Sequence, residues 1–130
     1  MKSDHNKDFV IVIEKLNNTN IDKINLMGIV SYTLFSREIF PKNKDIIKFL
    51  EEVLGLSYLD YVIKSRSLIS ARVLKHIVAI EEQELRLIIQ KIKKYLMGLL
   101  PEEDIYYNRN NNRNKKKNAN DKLGTWLKGL

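Results

Sequence analysis

The chain has 130 residues, which suits one domain, and 44% of them are hydrophobic, which is enough to build an apolar core. It contains no cysteine, so disulfide bonds, thiolate metal sites and thiol catalysis are excluded. No apolar run approaches the roughly 18 residues of a membrane-spanning helix, and the N-terminus lacks the apolar stretch of a signal peptide. We therefore expect a soluble, cytoplasmic protein with no membrane span.

The net charge of +7 is concentrated at the C-terminal end. Residues 1–104 carry 16 basic and 15 acidic side chains, whereas residues 105–130 carry seven basic and one acidic. This change of composition predicts a helical domain over 1–104, a disordered basic linker over 105–120 and a short amphipathic motif over 121–130. A basic tail favours polyanionic partners, with nucleic acid or an anionic membrane surface as the leading candidates.

The first predicted helix follows Asp8, which could cap it. Its buried face would comprise Phe9, Val12, Ile13 and Leu16. The run Val10–Ile13 would also suit a strand, but no second strand-like run could pair with it. We therefore predict a helix here.

A second helix is predicted over residues 20–35, where Thr19 and Asp22 resemble a capping box. This helix is apolar nearly all round, which is typical of a central helix or of an oligomer interface. The apolar segment around Met27 is therefore compatible with a homodimer. Gly28, in the middle of the helix, predicts a close approach by another backbone.

A third helix is predicted over residues 42–54, between Pro41 and Gly55, since proline favours the first turn of a helix and glycine its C-terminal end. Its predicted buried stripe comprises Ile46, Ile47, Phe49, Leu50, Val53 and Leu54.

The longest apolar-periodic stretch, residues 58–80, has the spacing of a helix, and as a helix it would be both a core element and a basic surface. On one continuous helix its apolar arc would comprise Val62, Ile69, Val73, Ile77 and Ile80. Arg66 would then fall among these apolar positions. Either it is buried with a partner, or its side chain reaches out to solvent, or the helix breaks between Ser65 and Ser67, which could start a new helix. We favour the break.

The last predicted helix runs from Glu81 to about Met97, with acids at its start and lysines near its end, and Gly98 and Pro101 terminate it. Together these patterns predict an all-α fold, a compact bundle of four to five helices with a disordered basic C-terminal tail.

Catalytic chemistry has little support in this sequence. Its two histidines are His5, close to the N-terminus, and His76, which falls near the apolar arc of its helix. A cluster of Glu81, Glu82 and Glu84 is more typical of a solvated helix start than of a metal site. No phosphate-binding loop or nucleophile elbow is present. We expect a non-enzymatic protein without a cofactor or a metal site.

A helix-turn-helix is one interpretation of residues 42–54, the turn at Gly55 and the helix after that turn. Glu51 and Lys64 disagree with its pattern, because packed helices would favour a small residue and an apolar residue at these positions. An ordinary helical hairpin is at least as compatible with the sequence.

Two basic features predict contact with nucleic-acid phosphates, DNA ahead of RNA. One is the acid-free segment 61–80, with Lys64, Arg66, Arg72 and Lys75, and with Ser65, Ser67 and Ser70 as hydroxyl donors. The other is the tail cluster of Arg109, Arg113, Lys115, Lys116 and Lys117. The alternatives are a solvated helix face and a solubilising linker. If Arg66 is buried, the helical set shrinks to the other three cations.

The C-terminal segment supports a second function, that of a protein-interaction adaptor or small inhibitor. Its apolar residues recur at helical spacing, at Leu123, Trp126, Leu127 and Leu130. Such a motif could dock in a groove of a larger protein, with the tryptophan as anchor. It could also fold back on its own domain, or enter a membrane interface with Lys122 and Lys128 alongside.

Overall fold

A computed structural model describes residues 6–18 and 20–100, and all regular structure in this part is helical. The helices are α1 (Lys7–Leu16), α2 (Lys23–Phe35), α3 (Asp45–Phe49), α4 (Asp60–Ile63), α5 (Arg66–Val78) and α6 (Glu82–Leu99). A π-helical segment (Leu50–Leu54) continues α3 without a break. The all-α prediction is confirmed, with six helices in the described part because the stretch 58–80 forms two.

Most positions that helical periodicity assigned to the interior form one apolar core. The predicted arc of residues 58–80 is buried throughout, since Val62, Ile69, Val73, Ile77 and Ile80 are each at most 6% exposed. Within the described residues, no helix combines the length and the apolar character that crossing a membrane requires.

Helices α2 and α5 run antiparallel and pack against each other. At one end of the pair, the Nζ of Lys23, the first residue of α2, lies 2.9 Å from the carbonyl oxygens of both Val78 and Ile80. The last carbonyls of an α-helix have no partner within the helix, so this ammonium group caps the C-terminus of α5. The opposite end of the pair is held by Arg66.

The start of α2 differs from the predicted capping box. Asp22 is itself the N-cap, and its carboxylate accepts a hydrogen bond from the backbone N–H of Asn25 at 2.7 Å. The side chain of Asn25 accepts one in return from the N–H of Asp22, at 3.2 Å. The box is thus shifted by three positions from the predicted one, and Thr19 lies outside the described residues.

Within the described residues, no backbone makes the close approach to Gly28 that the sequence predicts. A Cβ atom added at this glycine would meet no atom of the described chain within 4 Å. Gly28 lies on the exposed side of α2, because the buried residues of this helix are Leu26, Val30, Thr33 and Leu34.

Helix α3 begins at Asp45, later than predicted, and Pro41 precedes it in the connecting loop. Gly55 ends the π-helical segment with a φ of 66°, the left-handed conformation that glycine adopts without strain. Of the predicted stripe, Ile47 is 38% exposed. Gly98 does not terminate α6, which continues to Leu99.

Glu38 fixes the N-terminus of α1 from the loop after α2. Its carboxylate accepts hydrogen bonds from the backbone N–H groups of Asp8, at 2.8 Å, and Phe9, at 3.3 Å. Asp8 does not cap its own helix. Its carboxylate instead accepts hydrogen bonds from the hydroxyls of Tyr32 and Ser36. Negative charge at a helix N-terminus is stabilising, so these acids dock α1 onto the end of α2.

Candidate nucleic-acid interface

The predicted break near Ser65 is confirmed, but it does not expose Arg66. Ser65 has an extended backbone, and its Oγ accepts a hydrogen bond from the N–H of Leu68 at 3.2 Å. Arg66 is the first residue of α5 and is only 7% exposed. It lies in the middle of the buried side of the helix, as the continuous-helix pattern placed it.

The guanidinium group of Arg66 binds backbone carbonyls and one amide. Its Nη1 donates to the carbonyl oxygen of Leu34 at 2.7 Å and, more weakly, to that of Ser36 at 3.4 Å. Its Nη2 donates to the carbonyl of Phe40, and its Nε donates to the Oδ1 of Asn43 at 2.6 Å. These acceptors are neutral oxygens. Within the described residues, the positive charge of Arg66 is therefore stabilised by carbonyl and amide dipoles, and no carboxylate binds it directly.

These contacts join four parts of the chain. Leu34 belongs to the last turn of α2, where a cation is favoured by the helix dipole and by the unpaired carbonyls. Asn43 continues the network by donating to the carbonyl of Ile63 at the end of α4, at 2.8 Å. Burial is the main cause that lowers the pKa of Arg66, and repulsion from the positive charge of Arg37 adds to it. The negative charge of Asp45 raises this pKa and partly offsets both effects. The group nevertheless stays protonated, as arginine does in proteins.

Arg66 is therefore engaged inside the domain, and the exposed cations of the predicted helical set are Lys64, Arg72 and Lys75. We call these three residues the basic face. At about 100° per residue, Arg72 and Lys75 lie roughly 60° apart on the side of α5 opposite Arg66. Lys64 comes directly after the last turn of α4.

Arg72 is flanked by two tyrosines. One of its Nη2 protons points to the hydroxyl of Tyr61, 3.1 Å away, and Tyr61 is 56% exposed. The second tyrosine is the half-buried Tyr58, whose pKa is raised by burial. The positive charge of the nearby Arg72 partly offsets this rise in pKa. The basic face thus combines exposed cations with an exposed aromatic ring, the two components that binding sites for nucleic acids use most.

No carboxylate of the described chain forms an ion pair with the basic face. Within residues 6–18 and 20–100, the ion pair is that of Lys48 and Glu52, whose charged atoms lie 3.7 Å apart. The three cations therefore remain available to an approaching anion, and the acid nearest to them in sequence is the exposed Asp60, one helical turn before Lys64.

The serine hydroxyls contribute less to this surface than the sequence predicts. Ser70 is buried, at 4% exposure, and Ser65 is committed to capping α5. Ser67 alone of the three predicted hydroxyl donors is exposed.

The helix-turn-helix interpretation is not supported by the geometry. The segment between the π-helix and α4 spans Gly55 to Leu59, and α4 itself has four residues, a single turn. A recognition helix needs several turns to place side chains in the major groove. The next long helix, α5, begins only after the break at Ser65.

The structure also brings together a second group of cations that the sequence did not suggest as a site. Lys48, Lys91 and Lys94 line an open cleft of about 440 Å³ between the α3–π segment and α6. Tyr95 lies in the same cleft and packs edge-on against Phe49, with 5.3 Å between ring centroids. More than 40 positions separate Lys48 from the two other lysines. Only the packing of α6 on the α3–π segment reveals the cluster.

The remaining predicted site residues lie outside the described residues. They are the tail cations Arg109, Arg113, Lys115, Lys116 and Lys117, and the apolar motif of Leu123, Trp126, Leu127 and Leu130. The predicted linker at 105–120 lies there too.

Comparison with known proteins finds no matching family model, no matching curated protein and no matching solved structure. The function of this protein has therefore to be inferred from its own residues and their geometry.

Proposed function

We propose that this protein is a non-enzymatic, nucleic-acid-binding accessory or regulatory protein that contacts phosphates through the basic face and the basic tail. The observation that carries the proposal is the exposure of Lys64, Arg72 and Lys75 on one acid-free segment, without an ion pair in the described part of the chain. Such cations bind phosphates with release of counterions, the main source of affinity for nucleic acids.

Arg72 is the best-positioned residue for a phosphate. The hydroxyl of Tyr61 occupies one of its five N–H donors and restricts the side chain, which leaves the others for a bidentate contact. Lys75 lies one helical turn away, about 4.5 Å further along the axis, and acts as a flexible point charge. The exposed ring of Tyr61 adds a surface on which an unpaired base can stack.

The basic tail supports the same function by charge alone. Residues 105–130 add a net charge of +6 to a domain of net charge +1. Contacts of this kind are sensitive to salt and mostly independent of base sequence. The proposal therefore predicts binding to duplexes of unrelated sequence, with similar affinity for each.

A pair of double variants tests the basic face. Arg72→Ala/Lys75→Ala and Lys91→Ala/Lys94→Ala each remove two positive charges spaced three residues apart on one helix. Binding of a labelled 20-base-pair DNA, measured by fluorescence anisotropy at low salt, should weaken about tenfold or more in the first variant. It should change far less in the second. Equal weakening would mean that net charge, and not the basic face, governs binding.

A second candidate function is that of an adaptor or small inhibitor, favoured by the helical spacing of Leu123, Trp126 and Leu127. A pull-down from native lysate with the full chain, with and without nuclease, separates the two functions. Nuclease-sensitive recovery of other proteins supports nucleic-acid binding. Nuclease-resistant recovery that Trp126→Ala/Leu127→Ala abolishes supports the adaptor.

A further inference from the structure

The outer side of α2 is an exposed apolar stripe. Ile24 is 78% exposed, Tyr32 45% and Phe35 47%, and Gly28 lies between them. These four positions fall within an arc of roughly 80° on the helix. Large apolar side chains exposed next to one another on a helix usually mark a binding surface. We call this set the α2 stripe.

Gly28 makes the stripe suitable for close contact with another helix. Because nothing of the described chain lies within 4 Å of an added Cβ, the backbone there is open to an approaching partner. Glycine in a helix interior is unfavourable by about 1 kcal/mol relative to alanine, so a helix gains from it only where a partner needs the space. The shallow groove beside the glycine, of about 330 Å³, is mainly apolar and is lined by Ile11, Val12, Lys15, Asn25, Gly28, Ile29 and Tyr32.

The charges around the stripe suit a second copy of the same chain. Residues 24–36 contain no Asp, Glu, Lys or Arg, although 30% of the whole chain is charged. The stripe itself therefore brings no like charges together in two copies of this chain, and its borders hold the cations Lys15 and Arg37 and the acid Asp8. At the edge of the groove, Lys15 lies beside Asn25, whereas Asp8 lies at the other end of α2, bound to Tyr32.

The stripe is also self-complementary about Gly28. Ile24 and Tyr32 each lie four residues from it, in opposite directions along α2. A two-fold axis that passes Gly28 at right angles to the helix would place Ile24 of one copy against Tyr32 of the other. The same axis brings Lys15 to the side where the other copy presents Asp8. A two-fold symmetric dimer would form each of these contacts twice, once from each copy, as a symmetric interface requires.

We propose that the α2 stripe is the interface of a homodimer, in which two α2 helices pack antiparallel and cross at Gly28. The proposal is independent of nucleic-acid binding, because the stripe and the basic face share no residue. Dimerisation would double the number of cations presented to a nucleic acid, but the interface does not require that function.

Sedimentation equilibrium of the full chain after nuclease treatment tests this interface. We expect a reversible, concentration-dependent monomer–dimer equilibrium. Gly28→Leu should weaken dimerisation about tenfold or more, since the new side chain holds the helices apart. Gly98→Leu is the matched control, because Gly98 is also an exposed helical glycine with no atom near an added Cβ. Both variants should keep the helical circular dichroism of the parent.

Three results would overturn the proposal. One is a monomer at every concentration up to the solubility limit. Another is a dimer whose dissociation constant is unchanged, or lower, in Gly28→Leu relative to Gly98→Leu. The third is loss of the dimer in the full-length variant Leu123→Ala/Trp126→Ala/Leu127→Ala, which would assign the groove to the C-terminal motif. Retention of the dimer in that variant supports the α2 interface.

Discussion

Lys23 and Arg66 cap the same pair of helices from opposite ends. Each is the first residue of its own helix and donates to carbonyl oxygens at the C-terminal end of the other. The two cations thus satisfy acceptors that α2 and α5 cannot satisfy themselves. This reciprocal capping sets the position of α5 and, through it, the outward direction of the basic face.

Replacement of Arg66 should destabilise the domain strongly. Arg66→Ala leaves the carbonyls of Leu34 and Phe40 and the side chain of Asn43 without their donor inside the protein. Each buried acceptor left without a donor typically costs about 1–3 kcal/mol, so the loss of several should lower the unfolding free energy by several kcal/mol. Arg66→Lys should cost less but remain destabilising, because an ammonium cannot reach all the acceptors.

Urea denaturation followed by circular dichroism measures these losses. Arg72→Ala serves as control, since Arg72 is exposed, and should change the unfolding free energy by only about 0.5 kcal/mol or less. An Arg66→Lys variant as stable as the parent would show that the buried guanidinium is not needed.

The effects of Lys23 and Arg66 on stability should be additive. Lys23→Ala is expected to cost about 1 kcal/mol, because it removes a cation from a helix C-terminus. The 13 residues of α2 separate the two caps by about 20 Å, beyond the range at which substitutions usually couple. A Lys23→Ala/Arg66→Lys cycle should give a coupling energy below about 0.5 kcal/mol. A larger value would mean that the helix pair responds as one rigid unit.

Gly28 and Gly55 should respond to alanine in opposite directions. Both have free space around an added Cβ, but Gly55 has a φ of 66°, which strains any residue with a side chain. Gly55→Ala should therefore lower the unfolding free energy by about 1 kcal/mol. Gly28→Ala should raise that of the monomer by a similar amount, because alanine favours the helix. Denaturation at low protein concentration provides the test, and a loss of stability in Gly28→Ala would refute this expectation.

Tyr32 should make the protein less stable at alkaline pH. The hydrogen bond to Asp8 raises its pKa above the usual value of 10.0, helped by slight burial and by the charges of Asp8 and Glu38. A raised pKa means that folding favours the neutral phenol. The neutral phenol of Tyr32 therefore contributes to the free energy of unfolding. This contribution is complete below the pKa that Tyr32 has in the unfolded chain. It is lost as the pH rises through the pKa that Tyr32 has in the folded protein.

Titration of tyrosine ring carbons by NMR measures this shift directly. Asp8→Asn removes the charged acceptor and should lower the pKa of Tyr32 towards its ordinary value. Tyr32→Phe should then show a smaller loss of stability above pH 10 than the parent. An unchanged Tyr32 titration in Asp8→Asn would rule out the hydrogen bond as the cause.

The local patterns of the sequence were sufficient to predict the helical class, the buried arc of residues 58–80 and the break at Ser65. They left open whether Arg66 is buried or exposed, because its acceptors lie 23 to 32 positions earlier in the chain and most are backbone carbonyls. Backbone groups carry no side-chain signal, so only the packing of α5 on α2 reveals them. The surroundings of Gly28 could not be predicted for a similar reason. They depend on which side of α2 faces the core, and a helix that is apolar nearly all round does not show this in its sequence.

The salt dependence of duplex DNA binding tests the proposed function most directly. We predict that the affinity of the full chain falls at least about a hundredfold between 50 and 200 mM salt. The log–log slope should be about two units shallower in Arg72→Ala/Lys75→Ala than in the parent, one unit for each phosphate contact removed. The Lys91→Ala/Lys94→Ala control should keep the slope of the parent. Binding that is absent at low salt, or whose slope is the same in all three proteins, would contradict the assignment of the basic face.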